Sequence, residues 1–313
     1  MDRRGFLKKA VGAGLAAVTP GLSRSAAELP MRPLGKTGAR VSVLAFGGGS
    51  HFLGRVNGDE KTVTQLILRA LELGIIYFDT AASYTFRPHE RLSETYFGRI
   101  LPPYRARIFL ASKSGERTGE GVRRSVDKSL ELLRTDHLDL IQMHGLQTLE
   151  ELDRIAKPDG SWPALQRLKQ EKLVRFVGAT GHYNPEVLYE ALRRFDLDTL
   201  LVSLNAAQAS HPLSMTPGLP LAGFEKKVLP AAVDKGVGVI AMKVMGQGTI
   251  VGEGKSKATP EELIHYALSL PVTALSISHT SLSILEQNVS AARNFRPMGK
   301  EEMAEIFPEI KEG

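Results

Sequence analysis

Gly74-Ile-Ile-Tyr-Phe-Asp79 is a short apolar run that ends in a carboxylate, and two further runs repeat the pattern. Ile108-Phe-Leu-Ala-Ser-Lys113 closes on an amine, and Leu138-Asp-Leu-Ile-Gln-Met-His144 closes on an imidazole. Each run is strand-like, and each ends in a group that a buried strand does not otherwise want. Tyr84 follows five positions after Asp79. Strands that are apolar almost throughout, rather than alternating, belong to a parallel sheet covered on both faces.

Outward from these runs, strand-like and helix-like segments alternate. Met31–Arg40 reads as a hairpin turning at Gly35 and Gly38, and Val41–Phe46 as the first strand of the series. Lys61–Leu73 carries Val63, Leu66, Ile67, Ala70 and Leu71 on one helical face, and Gly74 stops it. Helices over Leu92–Ile100 and Gly121–Leu133 follow the second and third strands. Then come a helix over Trp162–Gln170, a strand over Leu173–Ala179 and a helix over Pro185–Arg194 that Asn184 caps. Strands over Leu200–Asn205, Val237–Lys243 and Ala274–Ser278 alternate with helices near Phe224–Lys235, Pro260–Leu270 and Ser283–Phe295.

Eight such units predict an α/β fold, a (β/α)8 TIM barrel with an N-terminal β-hairpin. The rival, an open doubly wound sheet, needs a glycine-rich fingerprint after its first strand, and none is there. Gly12-x-Gly14-x-x-Ala17 follows no strand. Gly254-Lys255-Ser256 has Thr249 where a phosphate loop needs its first glycine.

In such barrels chemistry sits at the C-terminal strand ends. Asp79, Lys113 and His144 fall there on three consecutive strands, with Tyr84 just beyond. A phenol titrates near ~10, and a neighbouring ammonium favours phenolate and lowers that value. A carboxylate beside the lysine keeps it charged and fixed, while a neutral histidine holds a substrate oxygen or relays a proton. The expectation is a phenol that donates a proton near neutral pH, to a carbonyl oxygen as hydride reaches its carbon. Singly, each residue has an ordinary reading: Asp79 as a helix cap, Tyr84 as a loop tyrosine, Lys113 as a solvated strand end, His144 as a core histidine. The joint placement carries the catalytic reading.

Asp79-Thr-Ala-Ala-Ser-Tyr84, Ser112-Lys113 and Asp139-Leu-Ile-Gln-Met-His144 resemble the aldo-keto reductase family, as do Leu34-Gly-Lys-Thr-Gly38 and Arg123-Arg-Ser-Val-Asp-Lys-Ser-Leu-Glu-Leu-Leu133. The resemblance runs from about Met31 to Phe295. It implies NADP or NAD bound in extended form without a Rossmann fold, and a small-molecule carbonyl substrate. By the family pattern Tyr84 is the general acid, Lys113 and Asp79 tune it, and His144 orients the carbonyl.

For the cofactor the same resemblance implies Thr180 at the carboxamide, Asn205 at the end of the sixth strand, Met242 and Lys243 at the end of the seventh, and Gly246 and Gly248 near the pyrophosphate. Ser281, Gln287 and Asn288 fall at the adenosine end. Three positions depart from the pattern. Leu201 replaces a glutamine, and Met242 replaces the aromatic that stacks on nicotinamide. The segment Ser276–Ser281 lacks the Lys or Arg that reads a 2′-phosphate, which puts the preference for NADP in doubt. His51, Phe52, Phe86, His182 and residues 145–162 are candidates for the substrate mouth. A non-catalytic nucleotide-binding barrel that senses redox state or supports a partner is the competing reading.

With 42% hydrophobic and 24% charged residues, the chain has ample material for a large core. A single Trp argues against a base-stacking nucleic-acid surface. The absence of cysteine excludes disulfides, thiolate zinc sites and iron–sulfur clusters. None of the eight histidines has a zinc-ligand spacing, so no metal is expected.

Asp2-Arg3-Arg4-Gly5-Phe6-Leu7-Lys8-Lys9, the apolar stretch Ala10–Val18 and the small-residue site Ser25-Ala26-Ala27 resemble a twin-arginine (Tat) export signal. The expected organisation is therefore a signal peptide over 1–27 and a barrel over 28–313, exported by the Tat machinery to the periplasm or another extracytoplasmic space. No stable membrane span remains after cleavage. Removing Arg3, Arg4, Lys8, Lys9 and Arg24 against Asp2 takes four off the formal net charge of +6, so the basic balance is no argument for nucleic-acid binding. Because free NAD(P)H is not expected outside the cytoplasm, export implies either a cofactor bound beforehand or another electron source.

Overall fold

A computed structural model describes residues 28–208, 223–254 and 257–307. The leader expected over 1–27 lies outside the described residues. Strands β1 (Met31–Pro33) and β2 (Arg40–Ser42) form an antiparallel hairpin. Eight parallel strands then close into a barrel, each paired with its neighbours in chain order and the last with the first. They are β3 (Leu44–Gly47), β4 (Tyr77–Asp79), β5 (Phe109–Ser114), β6 (Leu138–Met143), β7 (Val174–Gly181), β8 (Thr199–Ser203), β9 (Gly238–Met242) and β10 (Ala274–Ile277). The barrel and its hairpin are those expected from the alternation of apolar runs.

One boundary differs. Val41–Phe46, expected as a single strand, is two, with the chain turning at Val43. Val41, Val43, Leu44 and Phe46 are all buried, so hydrophobicity carries no mark of the corner. The corner is held by Ser42, whose hydroxyl donates to Leu44 O at 2.6 Å and accepts from Ile76 N at 3.1 Å. Short helices over Ser50–Arg55, Leu149–Ala156 and Lys300–Ile306 were also not expected. Their lengths of six to eight residues give too little periodicity to read.

Helix starts follow the side chains that satisfy their first amides. Asp59, Thr118 and Asn184 each cap a helix, the last followed by Pro185. Thr148 with Glu151 and Thr259 with Glu262 form reciprocal capping boxes. Among the described residues no helix is long and apolar enough to cross a membrane.

The apolar residues divide into two cores. The larger lies between the strands and the outer helices. The smaller fills the barrel with Ala45, Tyr77, Phe109, Leu140, Leu201 and Ile240, and receives Leu34 from the hairpin turn. The hairpin closes the barrel's N-terminal end: Lys36 N donates to Gly236 O at 2.6 Å, just ahead of β9. Gly35 sits there with φ +52, and a Cβ on it would lie 2.3 Å from Gly238 N.

The outer ring is tied to the strand that carries Lys113. Glu94, fully buried on the helix Leu92–Ile100, accepts from Ser112 Oγ at 2.6 Å and from Arg91 Nε at 2.7 Å. That helix rests on Gly119–Leu133 through Gly98, whose added Cβ would stand 1.8 Å from Leu132 O. Backbone lies on both sides, so the contact has no flexible side chain to yield. Gly98→Ala is therefore expected to destabilise the protein by about 1–3 kcal/mol, read as a lower urea midpoint. An unchanged midpoint would contradict this packing.

Candidate active site

Four strand ends meet at the C-terminal mouth of the barrel. Lys113 and Asp79 are 1% and 3% exposed, and their charges meet at 2.6 Å. Lys113 Nζ also donates to Thr80 O at 2.8 Å and to Tyr84 Oη at 3.2 Å. An ammonium has three N–H donors, so all three are used. Because Tyr84 Oη accepts from the lysine, its own proton points elsewhere. Gln142 Nε2 approaches Asp79 Oδ1 at 3.4 Å, and Ser276 Oγ approaches Oδ2 at 3.5 Å. His144 stands edge-on to Tyr84, with ring centroids 5.8 Å apart, and its Nδ1 lies 3.1 Å from Ser83 Oγ. Its Nε2 makes no hydrogen bond among the described residues.

Electrostatics separate the roles. Burial disfavours the Lys113 ammonium, but Asp79 and Tyr84 outweigh it and hold its pKa above the usual lysine value. Burial pushes the Tyr84 phenol up, against the pull of Lys113 and together with the repulsion of Asp79. The expectation that the lysine lowers the phenol is thus reversed in the free protein, because desolvation of a phenolate outweighs one neighbouring cation. Tyr84 stays protonated and is an acid at neutral pH. His144 is lowered to about 3, first by burial and then by Lys113, His182 and Arg117. His182 is lowered to about 4 by burial, Lys243 and Lys113. Both imidazoles are therefore neutral, each with one donor and one acceptor nitrogen.

Tyr84 and Asp79 border a cavity of about 590 Å³. From Tyr84 it passes Leu201, Met242 and Lys243, then Gln247 and Gly248, and ends at Ile284, Gln287 and Asn288. His51 and His182 line its mouth. Lys243 at φ 60 and Gln247 at φ 56 have left-handed backbones, which turn the chain sharply at the end of β9. Burial lowers Lys243 to about 8.

Other expected positions lie behind the wall. The Thr180 hydroxyl accepts from Gly145 N at 2.9 Å and braces the end of β6. Asn205 Nδ2 approaches Lys243 O at 3.3 Å, beside a separate small hollow. Gly246 supplies backbone to the turn before Gln247. The Ser281 hydroxyl accepts from Ile284 N at 3.2 Å as a helix cap, and Thr280 takes the place at the wall. Phe52 belongs to the core against Phe46, Phe86 packs over Gly58, and residues 145–162 do not border the cavity.

Sequence reasoning missed Gln142, Ser276, Ser83 and Arg55, of which Ser276 and Arg55 line the cavity. A signal existed for two of them. Gln142 is a buried amide two residues before His144, on the same strand face. Arg55 is one helical turn after His51.

The family model described as "Aldo/keto reductase family" matches residues 43–307. The chain is 28% identical over 312 residues to L-galactose dehydrogenase of Arabidopsis thaliana, covering 88% of this chain and 92% of the plant protein. It is 24% identical over 242 residues to D-threo-aldose 1-dehydrogenase of a Pseudomonas species, covering 68% of this chain and 69% of that protein. The solved structure of the aldo-keto reductase AKR11C1 from Bacillus halodurans, in its holo form, shares the fold with a TM-score of 0.71 at 24% identity, covering 89% and 95% of the two chains.

Neutral buried imidazoles have a consequence for stability. His144, His182 and His279 are lowered to about 3, 4 and 3, whereas an unfolded histidine titrates near ~6.5. Below ~6.5 the unfolded chain takes up protons that the folded one refuses, so stability falls as pH falls. Urea midpoints are expected to drop between pH 7 and 4.5, and His182→Gln is expected to show a shallower drop. Equal slopes for the two proteins would contradict a neutral, buried His182.

Proposed function

The chain belongs to the aldo/keto reductase family, and from that premise we propose how its site divides the work. The protein is an NAD(P)-dependent oxidoreductase that interconverts aldehydes or ketones with alcohols. The cavity residues fit a dinucleotide. Its volume of about 590 Å³ falls within the ~300–1,000 Å³ of cofactor sites. Asp79, the one carboxylate among the described residues that line it, is neutralised by Lys113, and the amides of Gln287 and Asn288 suit a purine edge. Gly47 borders the same space, where a Cβ would stand 3.0 Å from Ile277 O.

The bound dinucleotide supplies a hydride equivalent at the carbonyl carbon. Tyr84 donates the proton to the carbonyl oxygen, and in the reverse direction takes it from the alcohol. Lys113 steadies the phenolate that remains, which a buried site without a cation would resist. Asp79 keeps the lysine charged and in place. His144, neutral, holds the carbonyl oxygen through Nε2, with Ser83 at Nδ1. Leu201 and Met242 line the cavity and would offer the nicotinamide an apolar floor. The observation that carries this reading is the set of three acceptors around Lys113 Nζ, Asp79, Thr80 and Tyr84.

NADH serves at least as well as NADPH in this reading. Thr280 and Ser278 bring hydroxyls to the adenosine end, and His279 there is fully buried and neutral. No guanidinium or ammonium stands among residues 276–281 to favour a 2′-phosphate. The substrate is a hydroxylated aldehyde or lactol of the sugar class. Neutral His144 beside Tyr84 and neutral His182 at the cavity wall suit neighbouring hydroxyls, and the plant and Pseudomonas relatives are named as sugar dehydrogenases.

Tyr84→Phe is expected to lower kcat by about 100-fold or more, the range of one general acid, with Kd for NADH within twofold of wild type. Equal turnover would remove Tyr84 as the acid. In a panel of aldoses and simple aldehydes, with each cofactor, the highest kcat/KM is expected for an aldose with NADH. A preference for unsubstituted aldehydes would overturn the substrate class, and a tenfold preference for NADPH would overturn the cofactor assignment.

A further inference from the structure

Four aromatic rings stand in file at the mouth of the barrel. Tyr84 meets His144 at a centroid separation of 5.8 Å, His144 meets His182 at 6.0 Å, and His182 meets Tyr183 at 5.7 Å. The file begins at the proton donor and ends at Tyr183, which is 37% exposed. Tyr84 and His182 border the cavity, whereas Tyr183 stands outside it. The outer pair follows β7 directly and is tied down on both sides. Ser203 Oγ donates to His182 O at 3.3 Å, and Asn184 Nδ2 donates to Gln147 O at 3.4 Å. Lys243 Nζ, 4.8 Å from the Tyr183 ring centroid, steadies the outer ring.

The half-buried His182 ring touches His144 and Tyr183, but its two nitrogens make no hydrogen bond among the described residues. Such a ring has lost hydration without gaining a polar partner in exchange. Burial, Lys243 and Lys113 lower it to about 4, so it is neutral and carries one donor and one acceptor. An alcohol hydroxyl matches either nitrogen, and a carboxylate only one.

We propose that His182 and Tyr183 form a polyol subsite: His182 binds the hydroxyl on the carbon next to the reacting carbonyl, and Tyr183 lies against the carbons beyond it. This rests on the reading of Tyr84 and His144 as the pair that holds the carbonyl oxygen. Oxygens on adjacent carbons stand about one hydrogen-bond length apart. With each imidazole at about 2.8 Å from its own oxygen, two rings 6.0 Å apart bracket such a pair. The next ring in the file then meets the rest of the chain as it leaves for solvent. The negative face of an aromatic ring attracts C–H bonds that neighbouring hydroxyls polarise. The subsite thus selects 2-hydroxyaldehydes among aldehydes, and longer hydroxylated chains among those.

The test compares substrates within each protein, so that any loss of folded enzyme cancels. Full-length wild type, His182→Leu, His182→Gln and Tyr183→Ala are assayed with NADH on propanal, 2-hydroxypropanal and erythrose. Wild type is expected to favour 2-hydroxypropanal over propanal by about 5-fold in kcat/KM, one neutral hydrogen bond. His182→Leu is expected to bring that ratio close to one, and His182→Gln, with an amide donor and acceptor, to keep part of it. Tyr183→Ala is expected to leave that ratio in place and to lower the preference for erythrose over 2-hydroxypropanal by about threefold, one ring contact. A ratio unchanged in His182→Leu, with hydroxylated aldehydes still preferred by wild type, would overturn the subsite and leave the sugar class standing. Equal losses on propanal and 2-hydroxypropanal in that variant mean that the ring supports the site without reading the hydroxyl, which also overturns the proposal. An erythrose preference untouched by Tyr183→Ala removes the outer half of the subsite. Failure of wild type to reduce any of the three would instead overturn the carbonyl-reductase reading itself.

Discussion

The ion pair between Lys113 and Asp79 is the constraint on which the mouth of the barrel depends. Taking two charges out of water costs more than their attraction returns unless the remaining donors and acceptors are also met. Here Thr80 O and Tyr84 Oη take the other two ammonium protons, and Gln142 and Ser276 approach the carboxylate. The arrangement therefore contributes geometry more than stability. It fixes four side chains from β4, β5, β6 and β10 at separations that a solvated surface would not keep. The parallel register supplies the platform: Gly47 lies beside Asp79, Asp79 beside Ala111, and Lys113 beside Gln142.

From that fixed point the chemistry divides by protonation. One buried cation is held charged, while a phenol and two imidazoles are held neutral by the same burial. A site of this kind has its acid loaded before substrate arrives. Rigidity extends outward through Ser112 to Glu94 and Arg91, so the lysine's strand is supported by the outer helices as well as by its neighbours in the sheet.

How far the sequence reveals this differs between the two halves of the site. Asp79, Lys113 and His144 end apolar runs, and the parallel barrel brings strand ends together, so residue type and position sufficed to predict that these groups gather at one mouth with Tyr84. The barrel itself was legible from eight alternations and from caps such as Asn184 with Pro185. The wall of the cavity was not. Whether Thr180 faces a ligand or braces Gly145 depends on the path of the β6–α loop, and Lys243 and Gln247 adopt left-handed backbones that residue type does not announce. The phenol's direction of shift was also hidden, because charge can be counted in a sequence whereas desolvation requires the fold. The corner at Val43 escaped for a related reason, since both sides of it are apolar.

The hairpin that closes the barrel's lower end also fixes where the chain enters. Leu29 is buried against Gly74, and Pro30 O accepts from Val43 N at 3.0 Å, at the end opposite the cavity. Leu29 is thus anchored at the end of the barrel opposite the mouth. A purification handle, a fusion domain or a surface linkage placed there leaves ligand traffic unobstructed, and an immobilised form of the enzyme would present its open end to the solution.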